Sequence, residues 1–130
     1  MNKYNNSKFV TKEGKWDSKR EYYRYHVLLK AQKDGLISDL QRQVKYELVP
    51  ASTEEYLVQL KTKVKTKTRV VEKAITYTCD FQYTKDGKLV VEDVKISPKL
   101  LPEEYVLKRK LMLALRGIRI KQVYDPYDPI

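Results

Sequence analysis

The sequence predicts an α/β fold, a mixed β-sheet flanked by helices in the order α-β-β-β-α-β, and three observations predict it. Two segments, Ser18 to about Lys33 and Glu103 to Leu115, place apolar residues at helical spacing between recognisable ends. Two β-rich runs, Val70 to Thr84 and Lys88 to Ile96, flank Asp86-Gly87, the dipeptide of a tight hairpin turn. Hydrophobic residues make up 42% of 130 positions, enough for one core at a length that usually forms one domain. Residues 1–130 are therefore expected to be a single domain.

In chain order, residues 1–15 read as a polar arm. The first helix opens at Ser18, runs through Tyr22, Tyr25, Leu28 and Leu29, and ends at Asp34-Gly35. Ile37 to Val49 is extended: Val44, Tyr46 and Leu48 alternate with Lys45 and Glu47, and Pro50 stops the run. Residues 51–60 read as a short helix capped by Ser52 or Thr53, with Glu55 completing a capping box. The Lys/Thr alternation over 61–69 is either a mobile basic loop or an extended edge. Pro98 and Pro102 follow the hairpin, and Pro102 suits the first turn of the second helix. Arg116-Gly117 ends that helix, Ile118, Ile120 and Val123 mark a last strand, and residues 124–130 are a tail.

Composition excludes several classes. A single cysteine, Cys79, rules out a disulfide framework and suits a reducing, cytoplasmic setting. No apolar run approaches the roughly 18 residues that span a bilayer, so no membrane partner is expected. His26 has no second histidine beside it, which removes a zinc site. The net charge of +10 is concentrated in two stretches. Residues 61–73 hold six bases (Lys61, Lys63, Lys65, Lys67, Arg69 and Lys73) against Glu72, and residues 99–121 hold seven, Lys108, Arg109 and Lys110 among them, against Glu103 and Glu104. Each stretch nets +5, a pattern suited to a polyanion such as DNA. The plainer reading is a solvated, solubilising face.

The chemistry-bearing residues lie on the hairpin. If Asp86 and Gly87 are its two loop residues, Lys85 pairs with Lys88 and, counting outward, Asp80 faces Asp93, with Lys95 on the face of Asp93. Opposed carboxylates repel unless a cation or a proton holds them together. Such a pair beside an ammonium group is what Mg²⁺-assisted phosphodiester hydrolysis requires; the alternative is the wet face of an ordinary hairpin. Glu92, on the other face by alternation, reads as a solvated charge, although a one-residue slip would exchange it with Asp93. Glu21 fits a capping box with Ser18, yet it shares a stripe with Tyr25 and Leu28 that points toward the sheet. Cys79 alternates away from Asp80 and reads as a buried small apolar group.

The pieces NKYNNSK, WDSKREYYRY, QVKYEL, ITYTCDF, VVEDVK and YVLKRKL, in this order, resemble a family of short phage and prophage endodeoxyribonucleases. These belong to the PD-(D/E)xK, restriction-endonuclease-like superfamily, related in fold to Holliday-junction resolvases. The resemblance covers nearly the whole chain and implies a restriction-endonuclease-like sheet. It implies Glu21, Asp80 and Asp93 as ligands of Mg²⁺, with Mn²⁺ as substitute, Lys95 as the lysine of the acid-x-Lys strand, and Gln43 as a site glutamine. Ile96-Ser97 stands where Gly commonly follows the lysine, and Cys79 stands where Pro commonly precedes the aspartate.

The expected function is thus a metal-dependent DNA endonuclease of phage recombination, replication or packaging, in the host cytoplasm. Lys61, Lys63, Lys65, Lys67, Arg69, Lys108, Arg109 and Lys110 would hold the DNA backbone. A branched substrate is the expectation by family analogy, and paired cuts imply a homodimer. The alternative is a non-catalytic basic nucleic-acid-binding module, in which the acids serve only the fold.

Overall fold

The computed structural model describes residues 8–130, so residues 1–7 of the expected arm lie outside the described residues. The structure is mixed α/β. The described residues divide into two compact units, one of residues 8–44 with 78–130 and one of residues 45–77.

The first unit opens with a small antiparallel hairpin, β1 (Phe9–Thr11) and β2 (Gly14–Trp16), where a featureless arm was expected. Helix α1 (Lys19–Lys33) follows; the Ser18 hydroxyl accepts the Glu21 amide at 3.2 Å and so satisfies one of the unpaired donors of the first turn. Its buried stripe is Glu21, Arg24, Leu28 and Ala31, which keeps Glu21 and Leu28 of the expected stripe and puts Arg24 where Tyr25 was expected, while Tyr25 packs at the edge of the core. Four strands form the main sheet in the order β10-β9-β8-β3: β3 (Ser38–Arg42), β8 (Phe81–Lys85), β9 (Lys88–Val94) and β10 (Lys121–Val123). Strand β10 adds in parallel to β9, and the other pairings are antiparallel.

Helix α2 (Glu103–Arg116) connects β9 to β10, and Gly117, at φ 67°, closes it. The Gly117 amide reaches Leu113 O and the Ile118 amide reaches Met112 O, so the last carbonyls are satisfied in a left-handed cap. Trp16, Leu28, Ala31, Ile37, Phe81 and Tyr83 form the core, with Tyr25, Val90, Val94 and Ile130 packed against it. Residues 124–130 are more than a tail. Arg24 donates to the main-chain oxygens of Pro126 and Asp128, and Lys121 to that of Pro129 at 2.9 Å.

The second unit consists of two-stranded sheets. Strand β4 (Lys45–Val49) pairs with β7 (Ile75–Thr78), and β5 (Ser52–Gln59) with β6 (Val64–Glu72). The helix expected over 51–60 is therefore a strand. STEEYLVQ is rich in β-branched and aromatic residues, and the neighbouring KTKVKTKTRVV run supplies a full ladder partner, which a capping pattern alone does not outweigh. Of the two readings for 61–69, the extended one describes Val64–Arg69, while Lys61 and Lys63 sit in the turn where the Leu60 amide meets Lys63 O.

Two expected single runs are each broken, and at facing points. Ile37 to Val49 splits into β3 and β4 at Gln43, and the run ending at Thr84 is interrupted between β7 and β8 at Cys79-Asp80. The Gln43 amide donates to Asp80 O and the Cys79 amide to Val44 O, so the two breaks hold each other. Gln43 sits at φ 52°, in the left-handed region, a conformation that costs about 1–3 kcal/mol and persists where the surroundings enforce it.

Candidate active site

The hairpin β8–β9 has the register its turn chemistry predicts, from Lys85↔Lys88 to Phe81↔Glu92. Asp86 (φ 52°) and Gly87 (φ 74°) are both left-handed, as a two-residue type I′ turn requires. Alternation from that register puts Phe81, Tyr83, Val90, Glu92 and Val94 on the face covered by α1. Gln82, Val91 and Asp93 face the other way.

One residue beyond β8, Asp80 meets Asp93 in a reciprocal arrangement. The Asp80 amide donates to Asp93 Oδ1 at 3.1 Å, and Asp80 Oδ2 accepts the Val94 amide at 2.8 Å. Each carboxylate thus pins the other's strand. Burial raises the Asp80 carboxyl well above the usual carboxylate range, the charges of Asp93 and then Glu21 add to it, and the Val94 amide and Lys95 offset only part. Glu21, 2% exposed, is raised too, by burial first and by Asp17 second, against Arg42 and Gln43.

The Ser18 half of the capping box forms at the Glu21 amide, while Glu21 Oε1 accepts from Gln43 Nε2 at 2.9 Å and lies 3.7 Å from Arg42. Gln43 therefore bridges Glu21, through its side chain, to Asp80, through its backbone. Lys95 Nζ lies 4.0 Å from Asp93 Oδ2 and 3.8 Å from the centre of the Tyr105 ring. Glu21, Gln43, Asp80, Asp93 and Lys95 come together in one unit.

The sheet adds residues the sequence did not single out. Gln122 of β10 is the parallel register partner of Asp93. Its Oε1 accepts from the Tyr105 hydroxyl at 3.0 Å and from Arg109 at 2.8 Å, so α2 contributes a tyrosine and a guanidinium one turn apart. Burial, then the Asp93 charge, pushes the Tyr105 hydroxyl above its ordinary value. No sequence signal identifies Gln122, because only the parallel addition of β10 puts it beside Asp93.

Glu92 is a correction. It is fully buried, not solvated: Arg24 grips both its oxygens at 2.8 and 2.9 Å, the Tyr83 hydroxyl donates to Oε2, and Lys121 stands 3.9 Å away. The hairpin was read with one wet face, whereas β9 lies between β8 and β10 and α1 covers its Glu92 face with Arg24. Cys79 is buried, and burial pushes its thiol up to about 11, so it is an inert core group.

The expected basic residues divide. Lys108 is tied to Glu104 at 2.8 Å, Arg109 turns to Gln122, and Lys110 is exposed. In the other unit, the β5–β6 register aligns Lys65, Lys67 and Arg69 on one face with Val58, Tyr56 and Glu54. Arg69 pairs with Glu54 and lies 4.7 Å over the Tyr56 ring. Every residue of β6 is exposed.

The donor set of Glu21, Asp80 and Asp93 is all oxygen, with Arg42 and Lys95 as its neighbouring cations, and this chemistry fits a hard divalent cation. In position, two carboxylates meet while Glu21 is held aside by Gln43; among the described residues no three His, Cys, Asp or Glu side chains form a metal-holding group.

A mixed sheet that carries an opposed carboxylate pair and a lysine at its hairpin defines the molecule structurally. The chain belongs to the family described as proteins of unknown function (DUF1064), which matches residues 1–124. No curated protein and no solved structure matches it. No helix is long and apolar enough to cross a membrane among the described residues.

Proposed function

We propose that this chain is a metal-dependent DNA endonuclease of the restriction-endonuclease-like, PD-(D/E)xK type. The observation that carries the reading is the reciprocally bonded pair of half-buried Asp80 and buried Asp93, with Lys95 4.0 Å from Asp93. Two carboxylates facing each other across a hairpin repel, which is costly for a purely structural role and useful for holding a cation. The order of helices and main-sheet strands, α1-β3-β8-β9-α2-β10, supports the same reading.

Asp80 and Asp93, with Glu21 once released from Gln43, would hold Mg²⁺ or Mn²⁺, which when bound polarises the phosphate and lowers the pKa of a water. The chain's own residues do the rest. Lys95 places positive charge where the phosphate oxygens gain negative charge, and the Tyr105 ring fixes its ammonium by cation–π attraction. Gln43, bonded to Glu21 through its side chain and to Asp80 through its backbone, holds Glu21 next to the pair until that side-chain bond opens. The exposed cations of β6 and the Lys61–Lys63 turn would hold DNA through its phosphates, with a branched substrate, a homodimer and a phage-encoded cytoplasmic setting as parts of the same proposal.

Incubation of the full chain with branched, linear duplex and single-stranded DNA, each with Mg²⁺, Mn²⁺ or EDTA, tests the reading. Metal-dependent cutting abolished by EDTA is the expected result; binding of all three without cutting under any metal overturns it. That second outcome is the alternative, a non-catalytic nucleic-acid-binding module, which the separation of Glu21 from a three-carboxylate group favours.

A further inference from the structure

Between α2 and β10 lies an open cavity of about 390 Å³, lined by Arg109, Lys110, Leu113, Arg119, Ile120 and Gln122. Three of its six lining residues are cations and none is an acid. Among the described residues, neither Lys110 nor Arg119 pairs with a carboxylate, and Arg109 is held by the Gln122 amide oxygen rather than by a charge. Three like charges around one concavity repel, so the wall is poorly satisfied until an anion enters. Leu113 and Ile120 give it an apolar floor, which strengthens any ion contact made there.

The cavity is joined to the carboxylate site by one residue. Gln122 lines it and is also the register partner of Asp93 on the next strand, about 4.8 Å across the sheet. We propose that this cavity is a phosphate subsite that takes a backbone phosphodiester of the bound DNA strand next to the one lying at Asp80 and Asp93. Arg109 and Arg119 present planar guanidinium forks to the phosphate oxygens, and Lys110 adds a point charge. The Arg109–Gln122–Tyr105 bonds hold the subsite at a fixed distance from Lys95, so a strand seated in the cavity is positioned for the carboxylates. The proposal rests on the nuclease reading only for the role of the second phosphate; the binding itself stands apart from cutting.

The test is the salt dependence of duplex DNA binding by the full chain in EDTA, where no cutting occurs. The double variant Lys110→Gln/Arg119→Gln removes two phosphate contacts. The slope of log affinity against log salt should fall by about 1.8, and affinity near 0.1 M salt about tenfold or more. A charge-matched control, Lys33→Gln/Lys88→Gln, should shift the slope by less than half as much, with both variants melting within about 2 °C of the parent. An unchanged slope in Lys110→Gln/Arg119→Gln, or an equal loss in the control, overturns the subsite. Inorganic phosphate at constant ionic strength should weaken binding by the parent more than binding by Lys110→Gln/Arg119→Gln; equal competition in the two chains overturns the subsite. A parent chain that binds with the steeper slope yet never cuts removes the nuclease reading and leaves the subsite standing.

Discussion

Asp80 and Asp93 are locked to each other's strands, Asp93 Oδ1 accepting the Asp80 amide and Asp80 Oδ2 accepting the amide that follows Asp93. Each acid accepts a hydrogen bond from backbone on the other's strand, which fixes the geometry of the pair. The cost is electrostatic: two carboxylates face each other where Asp93 is buried and Asp80 half-buried.

The first prediction follows from that cost. Asp80 has its folded-state carboxyl raised above the unfolded value, so the folded chain holds the proton more tightly. Metal-free stability contributed by this group is complete below the ordinary carboxylate range near pH 4 and is lost as pH rises through the raised value. Asp80→Asn, which retains an oxygen for the Val94 amide, should abolish this decline and stabilise the metal-free chain at pH 7 by about 1 kcal/mol. Urea titrations at several pH values in EDTA would show it. A variant less stable than the parent at pH 7 would mark Asp80 as a purely structural residue.

Glu92 should behave oppositely, although it is the next residue to Asp93. It neutralises a buried Arg24 and accepts the Tyr83 hydroxyl. Glu92→Gln leaves the guanidinium uncompensated and should cost about 3 kcal/mol with or without metal. Denaturant melts that place Glu92→Gln within about 0.5 kcal/mol of the parent would contradict the buried pairing.

How much of this was legible depended on whether the cause was local. The Asp86-Gly87 turn is a two-residue statement, and it carried the whole β8–β9 register and so the Asp80–Asp93 pairing. Helix ends at Ser18, Asp34 and Gly117 were equally local. The buried partner of Glu92 was not, because Arg24 is 68 residues away and meets it only through tertiary packing. Nor was Gln122, whose place beside Asp93 arises from β10 adding in parallel after a helix. Residues 51–60 misled for the same reason: a capping pattern is local, whereas the partner strand that overrides it begins beyond a turn.

The ribbon of β5 and β6 yields a prediction with a face attached to it. Lys65 and Lys67 share one side, with Thr66 and Thr68 on the other. Replacing Lys61, Lys63, Lys65 and Lys67 with Gln should weaken DNA binding and flatten its salt slope by up to about 3.6. Replacing Thr66 and Thr68 with Ser should leave both unchanged. Equal affinity and slope in the lysine variant, by fluorescence anisotropy, would take DNA off this segment.

Lys95 gives the sharpest separation of enzyme from binder, because its removal should oppose that of Asp80 in one measurement and match it in another. Its ammonium is held 4.0 Å from Asp93 and over the Tyr105 ring, and its side chain is 23% exposed. It is therefore the cation that relieves part of the carboxylate repulsion when no metal is bound. Lys95→Ala should lower metal-free stability at pH 7 by roughly 0.5–1 kcal/mol, where Asp80→Asn raises it. Both should lose cutting, Lys95→Ala by about 10²–10³-fold, as removal of a charge-stabilising donor does. Metal affinity, read by calorimetry, should survive in Lys95→Ala and collapse in Asp80→Asn, since only the second removes a ligand. The double variant should then be less unstable than the sum of the singles predicts, because Lys95 has less charge left to neutralise once Asp80 is gone. Strict additivity in the metal-free melts would mean that Lys95 does not act on the carboxylate pair at all, and a freely cutting Lys95→Ala would remove it from the chemistry.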